Sequence, residues 1–360
     1  MSAPEVLVAV EGAVGRLTLN RPAALNALTT DMVTLMTGAL LGWREDGAIE
    51  AVLIDHAGER GFCAGGDIRF LAESGARTGP ERGAAAREFF FREYRLNHLL
   101  FTYPKTVVAV MDGITMGGGV GISMPADYRI GTERTTFAMP ETGIGLFPDV
   151  GGGWHLPRLH GASGTWLALT GARLKAADCE LLGITTDVIA SANVPAFKAA
   201  FVADPANIEE TLTELEWDPG HAAIADHRDA IDRLFAHDAM EAIFAALEAD
   251  DSDWARAQLE TLATKSPLSM KTALRQLRAG AAMASFADEM IMEMRIAAHI
   301  VVSHDFAEGV RAVIIDKDSA PHWHPPRLDG VTDKLLDTVF APLPSDQEWS
   351  PLPEGAHRGL

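Results

Sequence analysis

The 360-residue sequence predicts an α/β core of repeated strand–turn–helix units, followed by a mainly α-helical C-terminal region. Three observations carry that prediction. Short apolar runs, Ala51–Asp55 and Val107–Met111 among them, each lead into a glycine-rich turn and then a helix-like stretch. The unit recurs, as expected of successive ββα-like turns. From about residue 195 the composition shifts to Ala- and Glu-rich helical segments broken by acidic runs such as 249–253. A division into a core over 1–195 and a helical region over 196–360 is therefore expected.

The elements follow in order. Val6–Val10 and Gly15–Leu19, separated by EGAV, read as a hairpin. After Asn20-Arg21-Pro22, Thr29 or Thr30 caps a helix with Met32, Leu35, Met36, Leu40 and Trp43 at helical spacing. Ala51–Asp55 is a short buried strand, and the turn Gly61 to Asp67 (GFCAGGD) starts the next helix, with Asp67 suited to cap it. Val107–Met111 repeats the plan, running through Gly113 to Gly121 (GITMGGGVG) into a helix. Tyr128–Gly131 and Thr136–Ala138 read as further strands. Beyond 195, Met240–Glu248, Trp254–Leu262, Met270–Leu277 and 304–316 read as helices.

Bulk composition narrows the function classes. The apolar content of 48% and charged content of 22% are those of an ordinary globular chain. A net charge of −20 leaves no basic surplus to neutralise phosphates, which argues against nucleic acid or an anionic membrane as partner. No apolar run approaches the length of a membrane span. Cys63 and Cys179 lie far apart and outside any metal spacing, and the N-terminal residues lack signal- or transit-peptide character. A cytoplasmic location is expected on those grounds.

The chemistry concentrates in two strings. The glycines from 113 to 121 expose backbone amides at a strand-to-helix junction, where they stabilise a bound anion or an oxygen that becomes one during reaction. Cys63 to Asp67 (CAGGD) has the same form one unit earlier, so two amides can approach one oxygen from opposite sides. Glu141 and Asp149 follow among glycines, prolines and apolar residues. Apolar surroundings raise a carboxyl's pKa into the range useful for proton transfer. Oxyanion donors plus two acids are the minimal equipment for acid–base chemistry on a carbonyl compound. Asp149 could alternatively cap a helix near Gly151–His155.

Other chemistries fit poorly. The dinucleotide fingerprint fails in register, its third position falling on Ile122 or Met124. There is no GxSxG elbow. His322 and His324 lack a third ligand nearby in sequence, and Met283, Met290, Met292 and Met294 read as core filler.

Seven strings together resemble the enoyl-CoA hydratase/isomerase (crotonase) superfamily: Asn20 to Leu28 (NRPAALNAL), Phe62 to Ile68 (FCAGGDI), Phe90 to Tyr94 (FFREY), Gly113 to Gly121, Met139 to Gly153 (MPETGIGLFPDVGGG), Leu169 to Lys175 and His304 to Asp318. The resemblance runs from about residue 6 to 335 and weakens through 190–260. It is closest to the superfamily's hydrolase branch, which cleaves a branched 3-hydroxyacyl-CoA in valine breakdown. It implies a crotonase-like spiral of ββα turns with a C-terminal helical region, and an acyl-CoA substrate with no separate cofactor, CoA being part of the substrate. It implies further that the amides of Gly66 and Gly118 hold the thioester oxygen, that Glu141 and Asp149 are the catalytic acids, and that Glu93 contacts substrate and faces the 3-hydroxyl. Trimer-based assembly is common in the superfamily, so a homo-oligomer is expected.

Two departures matter. Hydratases of the superfamily carry a second catalytic Glu where this chain has Gly121, which excludes hydration better than isomerisation. Ala23 stands where relatives often have a Lys beside CoA. The reading is a hydrolase of a short, branched 3-hydroxyacyl-CoA; an enoyl-CoA isomerase or hydratase is the alternative, and a CoA-binding protein without catalysis is disfavoured by the two acids.

Overall fold

The computed structural model describes residues 4–353 and residue 356. Strands β1 (Val6–Glu11) and β2 (Val14–Leu19) form the expected hairpin. Helix α1 (Thr30–Glu45) is capped by Thr29, whose hydroxyl accepts the Met32 amide. There follow β3 (Ala51–His56), β4 (Gly61–Cys63), α2 (Ile68–Gly75), α3 (Ala84–Phe101), β5 (Thr106–Met111), β6 (Ile114–Met116), α4 (Gly118–Ser123), β7 (Tyr128–Gly131), β8 (Thr136–Ala138), α5 (Gly152–His155), α6 (Ser163–Thr170), α7 (Ala176–Leu181) and β9 (Asp187–Val188). The remainder is helical: α8 (Val194–Ala203), α9 (Ile208–Leu215), α10 (Arg228–Phe235), α11 (Met240–Glu248), α12 (Asp253–Ala263), α13 (Pro267–Ala282), α14 (Phe286–Ile300), α15 (His304–Val310) and α16 (Asp333–Val339).

The strands form two sheets. Six lie in the order β1-β2-β3-β5-β7-β9, parallel except for the opening hairpin, and β4-β6-β8 form a second, parallel sheet of three. The pairs β3/β4, β5/β6 and β7/β8 therefore each donate their first strand to the larger sheet and their second to the smaller, whereas β1 and β2 both stay in the larger. The sequence predicts that Val107–Met111 leads through the glycines directly into a helix; the structure interposes β6. Gly113 makes that bend possible: its φ is +128°, and a Cβ there would stand 2.9 Å from the Gly61 Cα. Only glycine tolerates both conditions.

The six-stranded sheet is covered on both faces. Val52 and Ile54 of β3 face the main core, whereas Ala51 and Leu53, with Val108 and Val110 of β5, pack on Phe197 and Phe201 of α8. Burial on both faces explains why these strands read as continuous apolar runs. Buried Asp55 ties the layers together by accepting from Arg16, Thr18 and Lys198 at 2.8, 2.6 and 2.8 Å. Leu35, placed on the apolar face of α1 by its spacing, is 44% exposed instead. Met290, Met292 and Met294 are buried in the main core, and Met283 packs against it.

Candidate active site

The three-stranded sheet sets the site. Its strands are parallel, with Gly61 beside Ile114 and Ile114 beside Thr136 and a register shift between Gly61 and Cys63, so their C-terminal ends deliver three segments to one edge. After β4 come Ala64, Gly65 and Gly66; after β6, Gly117 and Gly118; after β8, Met139, Pro140 and Glu141. Parallel strands put ligand-binding groups at their carboxyl ends for this reason. Gly66, Gly118, Glu141, Asp149 and Glu93 all line one cavity there.

Both amides are left available by the local backbone. The bridge between Leu28 and Gly66 uses the Leu28 amide on the Gly65 carbonyl and the Asp67 amide on the Leu28 carbonyl, bypassing the Gly66 N–H between them. Gly118 is the first residue of α4, where a helix leaves its amides without an internal acceptor. Gly117 before it has φ +47°. The two loops touch: a Cβ on Gly65 would stand 3.8 Å from the Gly118 amide nitrogen. Asp67 caps α2 by accepting the Phe70 amide.

The acids come from two directions. Glu141 opens a 3₁₀ turn, Glu141–Ile144, and its Oε1 lies 3.4 Å from where a Gly117 Cβ would be. Glu93 lies on α3, whose buried face carries Phe89, Phe90, Glu93, Tyr94 and Asn97 at helical spacing. Its Oε1 would stand 2.5 Å from a Cβ on Gly118. Asp149 does not cap α5; its carboxylate accepts the Tyr94 hydroxyl at 3.0 Å. Glu93 Oε1 and Glu141 Oε2 are buried without a partner. An orphaned buried oxygen costs about 1–3 kcal/mol and is tolerated chiefly where a ligand will satisfy it.

No Lys or Arg is among the described residues lining this cavity, so no lining cation offsets the desolvation of its carboxyls. Burial, and then the Asp149 charge, push Glu93 and Glu141 well above the ordinary carboxylate range. Burial raises Asp149 to about 7, against the opposing pull of the Tyr94 hydroxyl. The Asp149 charge contributes to the rise of both Glu93 and Glu141, so the titration of the three acids is linked. Tyr94→Phe removes a bond that favours the charged form, so the acid limb of a pH–rate profile moves to higher pH, by about one unit. A profile unmoved or shifted toward acid contradicts that coupling.

Gly121 is shut off from this cavity. A Cβ there would meet the Val150 Cβ at 2.6 Å and the Asn97 Nδ2 at 2.7 Å, leaving no space for a glutamate. Tyr94 and Asn97 escaped the reading of the sequence as site residues. Their signal was the helical spacing that puts them on the Glu93 face of α3.

The described residues contain no group of three or more His, Cys, Asp and Glu side chains arranged to hold a metal. None of their helices is long and apolar enough to cross a membrane.

Comparison with known proteins places this geometry. The enoyl-CoA hydratase/isomerase family model matches residues 14–340. A zebrafish (Danio rerio) relative described as mitochondrial 3-hydroxyisobutyryl-CoA hydrolase is 44% identical, covering 94% of this chain and 90% of that protein. The human protein of the same description is 41% identical, covering 96% and 90%. Among solved structures, a carnitinyl-CoA dehydratase from Mycobacterium thermoresistibile superposes with a TM-score of 0.91 at 40% identity, covering 97% of this chain and 99% of that one. An enoyl-CoA hydratase from Rhodobacter sphaeroides gives 0.88 at 38%, covering 96% and 100%. The strand-to-sheet alternation, the paired glycine turns and the family match agree, and the chain belongs to the enoyl-CoA hydratase/isomerase family.

Proposed function

We propose that this chain hydrolyses an acyl-CoA thioester, with 3-hydroxyisobutyryl-CoA as substrate and 3-hydroxyisobutyrate and CoA as products, in valine catabolism. One observation carries the choice of hydrolysis over hydration. Glu141 keeps Asp149 as its companion acid, while the place of a second hydratase glutamate is Gly121, packed closed by Val150 and Asn97. The curated relatives named for that hydrolysis support the same reading. The solved relatives described as a dehydratase and a hydratase are the reason to test hydration directly.

In this reading the thioester oxygen sits between the Gly66 and Gly118 amides, each donor contributing about 3 kcal/mol as the oxygen gains charge. Glu141 has two routes. It attacks the carbonyl carbon, expels the thiolate and leaves a mixed anhydride for water to open, or it takes a proton from the attacking water. Asp149 accepts the proton that frees Glu141 and returns one to the departing sulfur. No cofactor is needed, CoA entering as part of the substrate. The two cysteines are free thiols, in keeping with a reducing compartment, for which we propose the cytoplasm.

Glu93 gives the substrate test. Its unpartnered Oε1 beside Gly118 suits a hydroxyl on C3 of the acyl chain. Isobutyryl-CoA, which lacks that hydroxyl, is expected to be turned over at least 10²-fold less efficiently, because a buried polar group is then left unpaired. Glu93→Leu, which leaves no polar atom there to go unpaired, narrows the gap. Equal kcat/KM for the two thioesters would remove Glu93 from substrate recognition.

A further inference from the structure

Asp149 sits in a segment whose backbone is held under strain. Val150 has φ +55°, which a β-branched residue seldom adopts, and Gly151 follows at +91°. Such backbone costs of order 1–3 kcal/mol and persists only where its surroundings impose it. What imposes it comes from α13 and α14, more than a hundred residues further along the chain.

Glu293 on α14 accepts the Gly151 amide at 2.9 Å on one carboxyl oxygen and 3.2 Å on the other, and the Gly153 amide at 3.3 Å. Gln276 on α13 donates to the Pro148 carbonyl at 2.8 Å, on the other side of Asp149, and to Glu293 at 3.1 Å and Glu289 at 3.4 Å. The fit is close, since a Cβ on Gly153 would stand 1.9 Å from Glu289 Oε1. All three side chains are 0% exposed. Apolar side chains would pack these helices on α5 without desolvating two carboxyls, so their polarity points to a task other than packing. Burial comes first in raising both glutamates, Glu289 to about 7 and Glu293 well above the ordinary carboxylate range, with the charges of Glu289 and Asp149 adding to the rise of Glu293.

We propose that Glu293, oriented by Gln276, is the positioning residue of the second acid: it clamps the Gly151 and Gly153 amides and so sets where the Asp149 carboxylate stands against Tyr94. The C-terminal helical region is thereby part of the machinery rather than a cover. Only the kinetic readout of this proposal rests on the hydrolase reading; the clamp itself does not.

The test is Glu293→Gln in the full-length protein, measured in two ways. Hydrogen exchange of the Gly151 and Gly153 amides is expected to quicken at least tenfold. Thiol release from 3-hydroxyisobutyryl-CoA is expected to lose about 10²-fold in kcat with KM within about threefold, the effect of misplacing a catalytic group by an ångström. Gln276→Met, which spares the Glu293 bonds to the amides, is expected to lose about tenfold in kcat and stands in if Glu293→Gln does not fold. For Glu293→Gln, unchanged exchange, or faster exchange with kcat within twofold, overturns the proposal; for Gln276→Met, kcat within twofold does so. Wild-type protein that releases no thiol refutes the hydrolase reading, and the exchange result still decides the clamp.

Discussion

Glu141→Gln loses on the order of 10⁴-fold in thiol release and keeps CoA affinity within a few-fold of wild type. Gln fills the same volume beside Gly117 and can neither attack the carbonyl nor take a proton from water, a role whose removal typically costs 10²–10⁴-fold or more. The same substitution carries a stability signature. Burial raises the folded-state pKa of Glu141, so protonation stabilises the fold fully below the unfolded value of about 4, and that contribution is lost as pH rises toward the folded value. Gln has no charge to bury. The variant is therefore expected to unfold at a higher temperature than wild type at pH 8, with the gap closing by pH 4. A gap that widens toward acid contradicts the assignment of Glu141 as a desolvated acid, and retained turnover removes it from the chemistry.

Gly118→Ala is the second large effect, expected at about 10²–10³-fold in kcat, the usual cost of one oxyanion donor. Its Cβ would stand 2.5 Å from Glu93 Oε1, 3.0 Å from Leu28 Cδ1 and 3.4 Å from the Gly65 carbonyl carbon. The Glu93 oxygen is closer than a side-chain carbon tolerates and Leu28 Cδ1 is tight, so those side chains must give way or the α4 N-terminus retreats and carries its amide away from the carbonyl oxygen. The displacement also pushes on Glu93, so discrimination for the 3-hydroxyl is expected to weaken together with the rate. An alanine variant with wild-type kcat would show that the Gly118 amide does not face the reacting oxygen.

What was readable in the chain was local. Gly65 and Gly117, whose φ values of +113° and +47° favour glycine, announce the two turns and with them Gly66 and Gly118, and Glu141 and Asp149 stand out as lone acids in apolar company. The long strands Ala51–His56 and Thr106–Met111 were legible because burial on both faces makes them continuously apolar. Of the second sheet only Thr136–Ala138 was. Gly61–Cys63 and Ile114–Met116 are three residues each, too short for any alternation to register, and Ile114–Met116 is enclosed by glycines that read as turn. Helix α3 went unassigned although the FFREY string within it was conspicuous; Tyr94 and Asn97 acquire meaning only when that helix is laid beside Asp149 and Gly121. The alternative that Asp149 caps a helix is settled only by the tertiary structure, where its carboxylate accepts the Tyr94 hydroxyl. Glu289 and Glu293 lie one helical turn apart among methionines, a pairing visible in the sequence, but what they grip is set by tertiary packing.

The most direct measurement is to incubate the purified protein with 3-hydroxyisobutyryl-CoA and, separately, with crotonyl-CoA, following free thiol in the first and enoyl absorbance in the second. The site described here gives fast thiol release from the first and an unchanged enoyl signal in the second. Loss of the enoyl absorbance without thiol release would contradict it, showing that water is activated for addition despite the side chain missing at Gly121.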